Sequence, residues 1–160
     1  MTATSIVKSL FPQETWSKIW IVGGTVRDAL KGNDGEDIDL DAVLTPEELT
    51  SYGFRPVDPA TSAPIWFRRI PEIGKIEITR LSSVDLLADD LTRRDFTVNA
   101  LAMTLKGEVI DLFGGIQDWE QKRLRACSPV SFQDDPIRIF RAFRGSENID
   151  SRSSRSRIEE

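Results

Sequence analysis

From Asp37 to Val43 the chain alternates acidic and aliphatic residues, Asp-Ile-Asp-Leu-Asp-Ala-Val. Successive side chains on a strand point to opposite faces, and residues two apart share one. The stretch therefore reads as a strand with one aliphatic face to bury and one acidic face. Asp37 and Asp39 project together, about 6–7 Å apart along the strand. Like charges that close are costly unless cations neutralise them. Mg²⁺ suits the spacing, being a hard ion usually held by one or two carboxylates plus substrate phosphates. A solvent-facing acidic edge strand is the plainer use of the same pattern.

Composition narrows the chemistry. The 160 residues contain no histidine and one cysteine, Cys127. Ser-His-Asp and Cys-His triads and imidazole zinc sites are excluded. A lone cysteine makes no intramolecular bridge and fits a reducing cytoplasm. No apolar run approaches the roughly 20 residues that span a bilayer, so no membrane partner is expected. The first fifteen residues lack the basic start and long apolar stretch of a signal peptide. Any catalysis must rest on carboxylates, cations and bound metal. The net charge of −5 argues against a histone-like coating role, although a local basic groove could still bind nucleic acid. Arginine outnumbers lysine 15 to 6, which suits forked contacts to phosphate.

Periodicity and breakers predict helices over Ser5–Phe11, Thr25–Leu30, Ser83–Leu91, Asp95–Ala102 and Gly115–Gln121. Thr45 and Pro46 make a good helix start, with an end by Gly53. Strands are predicted over Lys18–Val22, Asp37–Val43, Phe54–Val57, Ile65–Ile70, Lys75–Arg80 and Arg123–Ala126. Ala102–Leu105 and Glu108–Asp111 read as a hairpin around Lys106-Gly107. Asp135–Arg144 begins another helix, with Pro136 in its first turn. From Gly145 on, a Ser/Arg-rich segment without apolar periodicity is expected to be disordered. Its abrupt onset, cutting off a helix that has just begun, reads as a truncation or frameshift; an ordinary solvated tail is the plainer alternative.

Three further motifs could carry chemistry. Gly23-Gly24-Thr25-Val26-Arg27-Asp28 lies between a predicted strand and helix. Glycines there let backbone N–H groups approach an anion, and Arg27 is one turn in, placed for bidentate phosphate contact. Alone it is an ordinary strand-to-helix turn. Glu77, between Ile76 and Ile78, must face away from the side those aliphatics bury. If its strand neighbours Asp37–Asp41, Glu77 completes a three-acid site. Arg93-Arg94-Asp95-Phe96-Thr97-Val98-Asn99 packs cations, an acid and an amide together, suiting phosphates and a ribose. A structural Arg94–Asp95 salt bridge at a helix start is the alternative.

These motifs, followed in order by Leu-Phe-Gly-Gly-Ile-Gln-Asp-Trp (residues 112–119) and Asp-Asp-Pro-Ile-Arg (residues 134–138), resemble one family. The chain is similar, from about Ile19 to Arg144, to the head domain of bacterial-type (class II) tRNA nucleotidyltransferases and bacterial poly(A) polymerases. The resemblance implies an α+β, polymerase-β-like nucleotidyltransferase palm, a mixed sheet with helices against it, and the start of a helical neck. It implies a head over residues 1–133 and the start of a neck helix over 134–144, which leaves 145–160 as the disordered tail, native or not. It implies Mg²⁺ held by Asp37 and Asp39, with Glu77 as third catalytic acid. Gly23, Gly24 and Arg27 would then contact the triphosphate of CTP or ATP. Arg94, Asp95 and Asn99 would shape the nucleotide pocket. Asp135 and Arg138 would pair with the base edge, and Arg141 and Arg144 would line the same cleft. The implied reaction is two-metal addition of C and/or A to the tRNA 3′ end.

The chain departs from the family in two places. The segment between Arg80 and Arg93 is short, as in relatives that add only C. The stretch Ala63-Pro64-Ile65-Trp66-Phe67-Arg68 replaces a usual His-Gly-Thr region. A poly(A) polymerase head, or a truncated fragment that binds nucleotide or RNA without turnover, is the competing expectation. The sequence assigns no oligomeric state.

Overall fold

The computed structural model describes residues 2–32, 37–60, 64–127 and the backbone of 157–159. The predicted helix over Asp135–Arg144 lies outside the described residues. So do Asp135, Arg138, Arg141 and Arg144, and tail residues 145–156.

In chain order the elements begin with α1 (Ala3–Leu10), a 3₁₀ turn (Gln13–Lys18), β1 (Ile19–Val22), α2 (Gly24–Leu30), β2 (Ile38–Ala42) and α3 (Pro46–Ser51). Next come β3 (Arg55–Pro56), β4 (Ile65–Ile70), β5 (Gly74–Arg80) and α4 (Leu86–Thr92). A 3₁₀ turn (Thr97–Asn99), β6 (Leu101–Thr104), β7 (Val109–Asp111), α5 (Gly115–Glu120), β8 (Arg123–Arg125) and β9 (Arg157–Glu159) complete the described elements. The result is the expected α+β architecture. Seven strands form one mixed sheet in the order β3-β4-β5-β2-β1-β6-β7. Within this sheet β2 and β5 pair in parallel, whereas β1–β2, β1–β6, β3–β4 and β4–β5 are antiparallel.

The chain divides into two compact units, Met1–Leu87 with Ala102–Ile110, and Ala88–Leu101 with Asp111–Glu160. In the first, period-2 alternation decides which sheet face is buried. Ile38 and Leu40 on β2 lie opposite Ile76 and Ile78 on β5. All four are at most 1% exposed. Burying such a cluster supplies the unit's main stabilisation, about 1.5–3 kcal/mol per large aliphatic side chain. The residues between them, Asp39 and Glu77, necessarily point the other way.

Helix α3 starts where its sequence says. The Thr45 hydroxyl accepts from the Glu48 N–H, and Glu48 accepts from the Thr45 N–H, each at 3.1 Å. This reciprocal cap, with Pro46 at the first helical position, fixes the register. Beyond it, Phe11 stacks on Phe54 at 5.5 Å and meets Tyr52 edge-on at 5.6 Å. Burial, then the nearby Glu48 and Glu14 carboxylates, raises the Tyr52 phenol above 10.0. Tyr52 is the chain's one tyrosine, so phenolate absorbance reports it alone. The absorbance midpoint is expected above 10 in the folded chain and at the ordinary value in denaturant. Because the folded state holds this proton more tightly, the corresponding stability is full below about pH 10 and is lost as pH rises through the folded midpoint. An identical midpoint in both states would overturn this.

In the second unit, the predicted helix over Asp95–Ala102 is replaced by the Thr97–Asn99 3₁₀ turn. Asp95 is the local cause. Its Oδ1 accepts from the Phe96 N–H at 2.7 Å and from Asn99 Nδ2 at 3.1 Å. Such side-chain bonds compete with helical ones, and Thr97 and Val98 are β-branched, which adds to the cost of a helix. Phe96 instead bridges Ala126 in antiparallel fashion. Phe96, Val98 and Leu124 are buried together, with Trp119 against them. Residues 157–159 also depart from the expected structureless tail, since β9 pairs with β8 in parallel.

Candidate active site

Two of the acids predicted to act together, Asp39 and Glu77, share one sheet face. In the β2–β5 register, Asp39 lies directly opposite Glu77 and Asp41 opposite Thr79. Directly opposed residues on neighbouring strands project to the same side. Asp37 immediately precedes β2, outside the strand. Asp37 and Asp39 are exposed, whereas Asp41 is fully buried, 0% exposed. Burial thus separates Asp41, further along the strand, from the accessible pair. The Asp37 carboxylate is steadied by the Lys75 N–H, 3.1 Å from its Oδ1. Glu77 Oε2 is 3.1 Å from Lys75 Nζ.

The glycine turn is tied to the same place. Gly23 ends β1 with φ 68° and ψ −144°, a conformation that a side chain disfavours. It turns the chain into α2, where the Thr25 hydroxyl accepts from the Asp39 N–H at 3.1 Å. Arg27 on α2 is 7% exposed, and its Nε lies 3.8 Å from Asp28 Oδ1. Its guanidinium folds back toward Gly24: a Cβ there would sit 3.5 Å from an Arg27 nitrogen. Gly23, Gly24, Arg27, Asp37, Asp39 and Glu77 thus all belong to the first unit.

Arg94, Asp95 and Asn99 belong to the second unit. Arg94 ion-pairs with Asp90 at 3.3 Å, one helical turn back. Asp95 is 6% exposed and joins Asn99 as described above. The region is braced by Asp118, which is 3% exposed and accepts from the Thr97 hydroxyl and from Arg125 Nε. Two residues at the acidic face escaped the sequence reading, Thr25 and Lys75. Lys75 was visible in principle, since it precedes Glu77 by two on a strand and must share its face.

The donor set fits Mg²⁺. It is carboxylate oxygen only, with exposed Asp39 opposite Glu77 and exposed Asp37 just before the same strand. Among the described residues no group of three or more acidic, histidine or cysteine side chains is gathered closely enough to cage a metal alone. An ion bound by one or two carboxylates and substrate phosphates requires no such cage.

Comparison with known proteins decides the family. The Poly A polymerase head domain profile matches residues 67–125. A CCA-adding enzyme of Streptococcus pyogenes is 36% identical over 155 residues, covering 86% of this chain and 38% of its own length. A CC-adding tRNA nucleotidyltransferase of Shouchella clausii is 38% identical over 143 residues, covering 88% of this chain and 37% of its own. This chain belongs to the head-domain family of tRNA nucleotidyltransferases and poly(A) polymerases.

Solved family structures agree with the fold. A CCA-adding enzyme in complex with ATP superposes with a TM-score of 0.76 at 29% identity, covering 98% of this chain and 39% of that one. The Thermotoga maritima CCA-adding enzyme complexed with tRNA gives 0.72 at 27% identity, covering all of this chain and 43% of that one. The head therefore has the nucleotidyltransferase fold. It spans about two fifths of the length of these relatives.

Proposed function

We propose that this chain is the nucleotidyltransferase head of an enzyme that adds C and/or A, from CTP or ATP, to the 3′ end of tRNA. The observation that carries the proposal is the β2–β5 register, which sets Asp39 beside Glu77. Similarity to a CCA-adding enzyme solved with ATP supports nucleotides as substrates. Similarity to one solved with tRNA supports the acceptor.

In this proposal Asp37 and Asp39 hold Mg²⁺, and Glu77 is the third acid. Bound metal would lower the pKa of the RNA 3′-hydroxyl and neutralise charge on the leaving pyrophosphate. Gly23 and Gly24 leave the backbone open to the triphosphate, and Arg27 supplies a guanidinium beside them. Arg94, Asp95 and Asn99 shape the nucleotide pocket. Asp135 and Arg138 read the base edge by donor and acceptor pattern, with Arg141 and Arg144 alongside. In the same proposal the head comprises residues 1–133, and residues 134–144 begin the neck. No helix among the described residues is long and apolar enough to cross a membrane; a cytoplasmic site of action suits a tRNA substrate.

The test is to incubate the chain with tRNA lacking its 3′ CCA, Mg²⁺ and labelled CTP or ATP. Addition of one to three nucleotides is expected. Sustained A addition to arbitrary RNA would instead assign the head to the poly(A) polymerase branch. Calorimetric nucleotide binding without turnover would reduce the chain to a binding fragment.

A further inference from the structure

The face that carries the acids also carries a cation. Lys75 precedes Glu77 by two residues on β5 and so projects to the same side. Its ammonium lies 3.1 Å from Glu77 Oε2, with both side chains 34% exposed. Its backbone N–H donates to Asp37 Oδ1 at 3.1 Å. One residue therefore touches two of the three acids assigned to the reaction.

We propose that Lys75 is a resident counter-cation of the acidic site, holding Glu77 and competing with divalent metal for its carboxylate. The proposal rests on the metal reading above. A carboxylate that turns to a divalent ion brings that ion toward the ammonium, and like charges repel at short range. The ion pair must then open. A groove of about 570 Å³ beside it, lined by Asp37, Arg69, Glu72 and Lys75 among others, gives the ammonium somewhere to go. Lys75 thus lowers the charge repulsion of the metal-free face and weakens metal binding by the same contact. Arg69, opposite Lys75 in the β4–β5 register and exposed, shares the face but lies one strand further from Asp37. It contributes only a diffuse field.

Partly exposed ion pairs are weak, so removing the ammonium should tighten metal binding roughly 2- to 5-fold. The experiment is calorimetric titration of the full chain with Mn²⁺ at low ionic strength. The chain should bind Mn²⁺, and Lys75→Met should bind it tighter by that factor. Lys75→Arg should return to the starting affinity, and Arg69→Met should leave it unchanged. In a Glu77→Gln background, Lys75→Met should have no further effect, as expected when two groups act through one contact. Equal Mn²⁺ affinity in Lys75→Met and the parent would overturn the role of Lys75 while leaving the metal site standing. Equal tightening by Arg69→Met would assign the effect to the general field and overturn the pairing. Absence of Mn²⁺ binding by the parent chain would instead remove the metal reading, and this proposal with it.

Discussion

Asp39→Asn is expected to lower nucleotide addition about 10³-fold while leaving the melting temperature equal or slightly higher. The two readouts should separate because of where Asp39 sits. Its side chain is exposed, on the face opposite the apolar core. Its structural bond uses the backbone N–H, donated to the Thr25 hydroxyl, and asparagine keeps that donor. Removing one charge from a face shared with Glu77 relieves like-charge repulsion, which favours the folded state. A metal ligand is worth several kcal/mol in transition-state charge stabilisation, and each 1.36 kcal/mol is tenfold in rate. Radiolabelled CTP incorporation into tRNA, with thermal unfolding of the same samples, checks both halves. An Asp39→Asn chain as active as its parent would sink the catalytic assignment.

Gly115→Ala should have the opposite signature, a loss of structure in the second unit. A Cβ at Gly115 would stand 2.0 Å from the Thr97 carbonyl oxygen and 2.7 Å from its carbon. Those are backbone atoms, so no side-chain rotation relieves the clash. The start of α5 must move off the Thr97–Asn99 turn. The buried Asp118 carboxylate, on α5, then loses its alignment with the Thr97 hydroxyl and Arg125. The combined cost is about 3 kcal/mol or more, at the upper end of overpacking effects. Denaturant unfolding measures it, and amide exchange should show lost protection around residues 96–100 and 124–126. A change below about 0.5 kcal/mol, typical of a neutral surface substitution, would refute the close approach.

Much of this was legible in the residues. The run Asp37–Val43 predicts a strand, and β2 occupies Ile38–Ala42 within it. Glu77 was expected to face away from its aliphatic neighbours, and Ile76 and Ile78 are both 0% exposed. Thr45-Pro46-Glu47-Glu48 announced α3, because capping chemistry is local. Local signals failed at Asp95–Ala102, where helical spacing lost to the Asp95 side-chain bonds and to the pairing of Leu101–Thr104 as β6. The pairing of β8 with β9 likewise has no local signal, because it joins segments far apart in the chain.

The sequence alone determined the identity of the chemical groups and the direction each faces, because both follow from residue type and a two-residue period. It also excluded imidazole chemistry and an intramolecular disulfide within these 160 residues. Only tertiary structure decided which strand lies beside β2. Strand order depends on how the whole apolar face is buried, and no stretch of a few residues encodes it. The parallel pairing of β2 with β5 turned two separate acidic motifs into one face, and it brought Lys75 against Glu77 and Asp37.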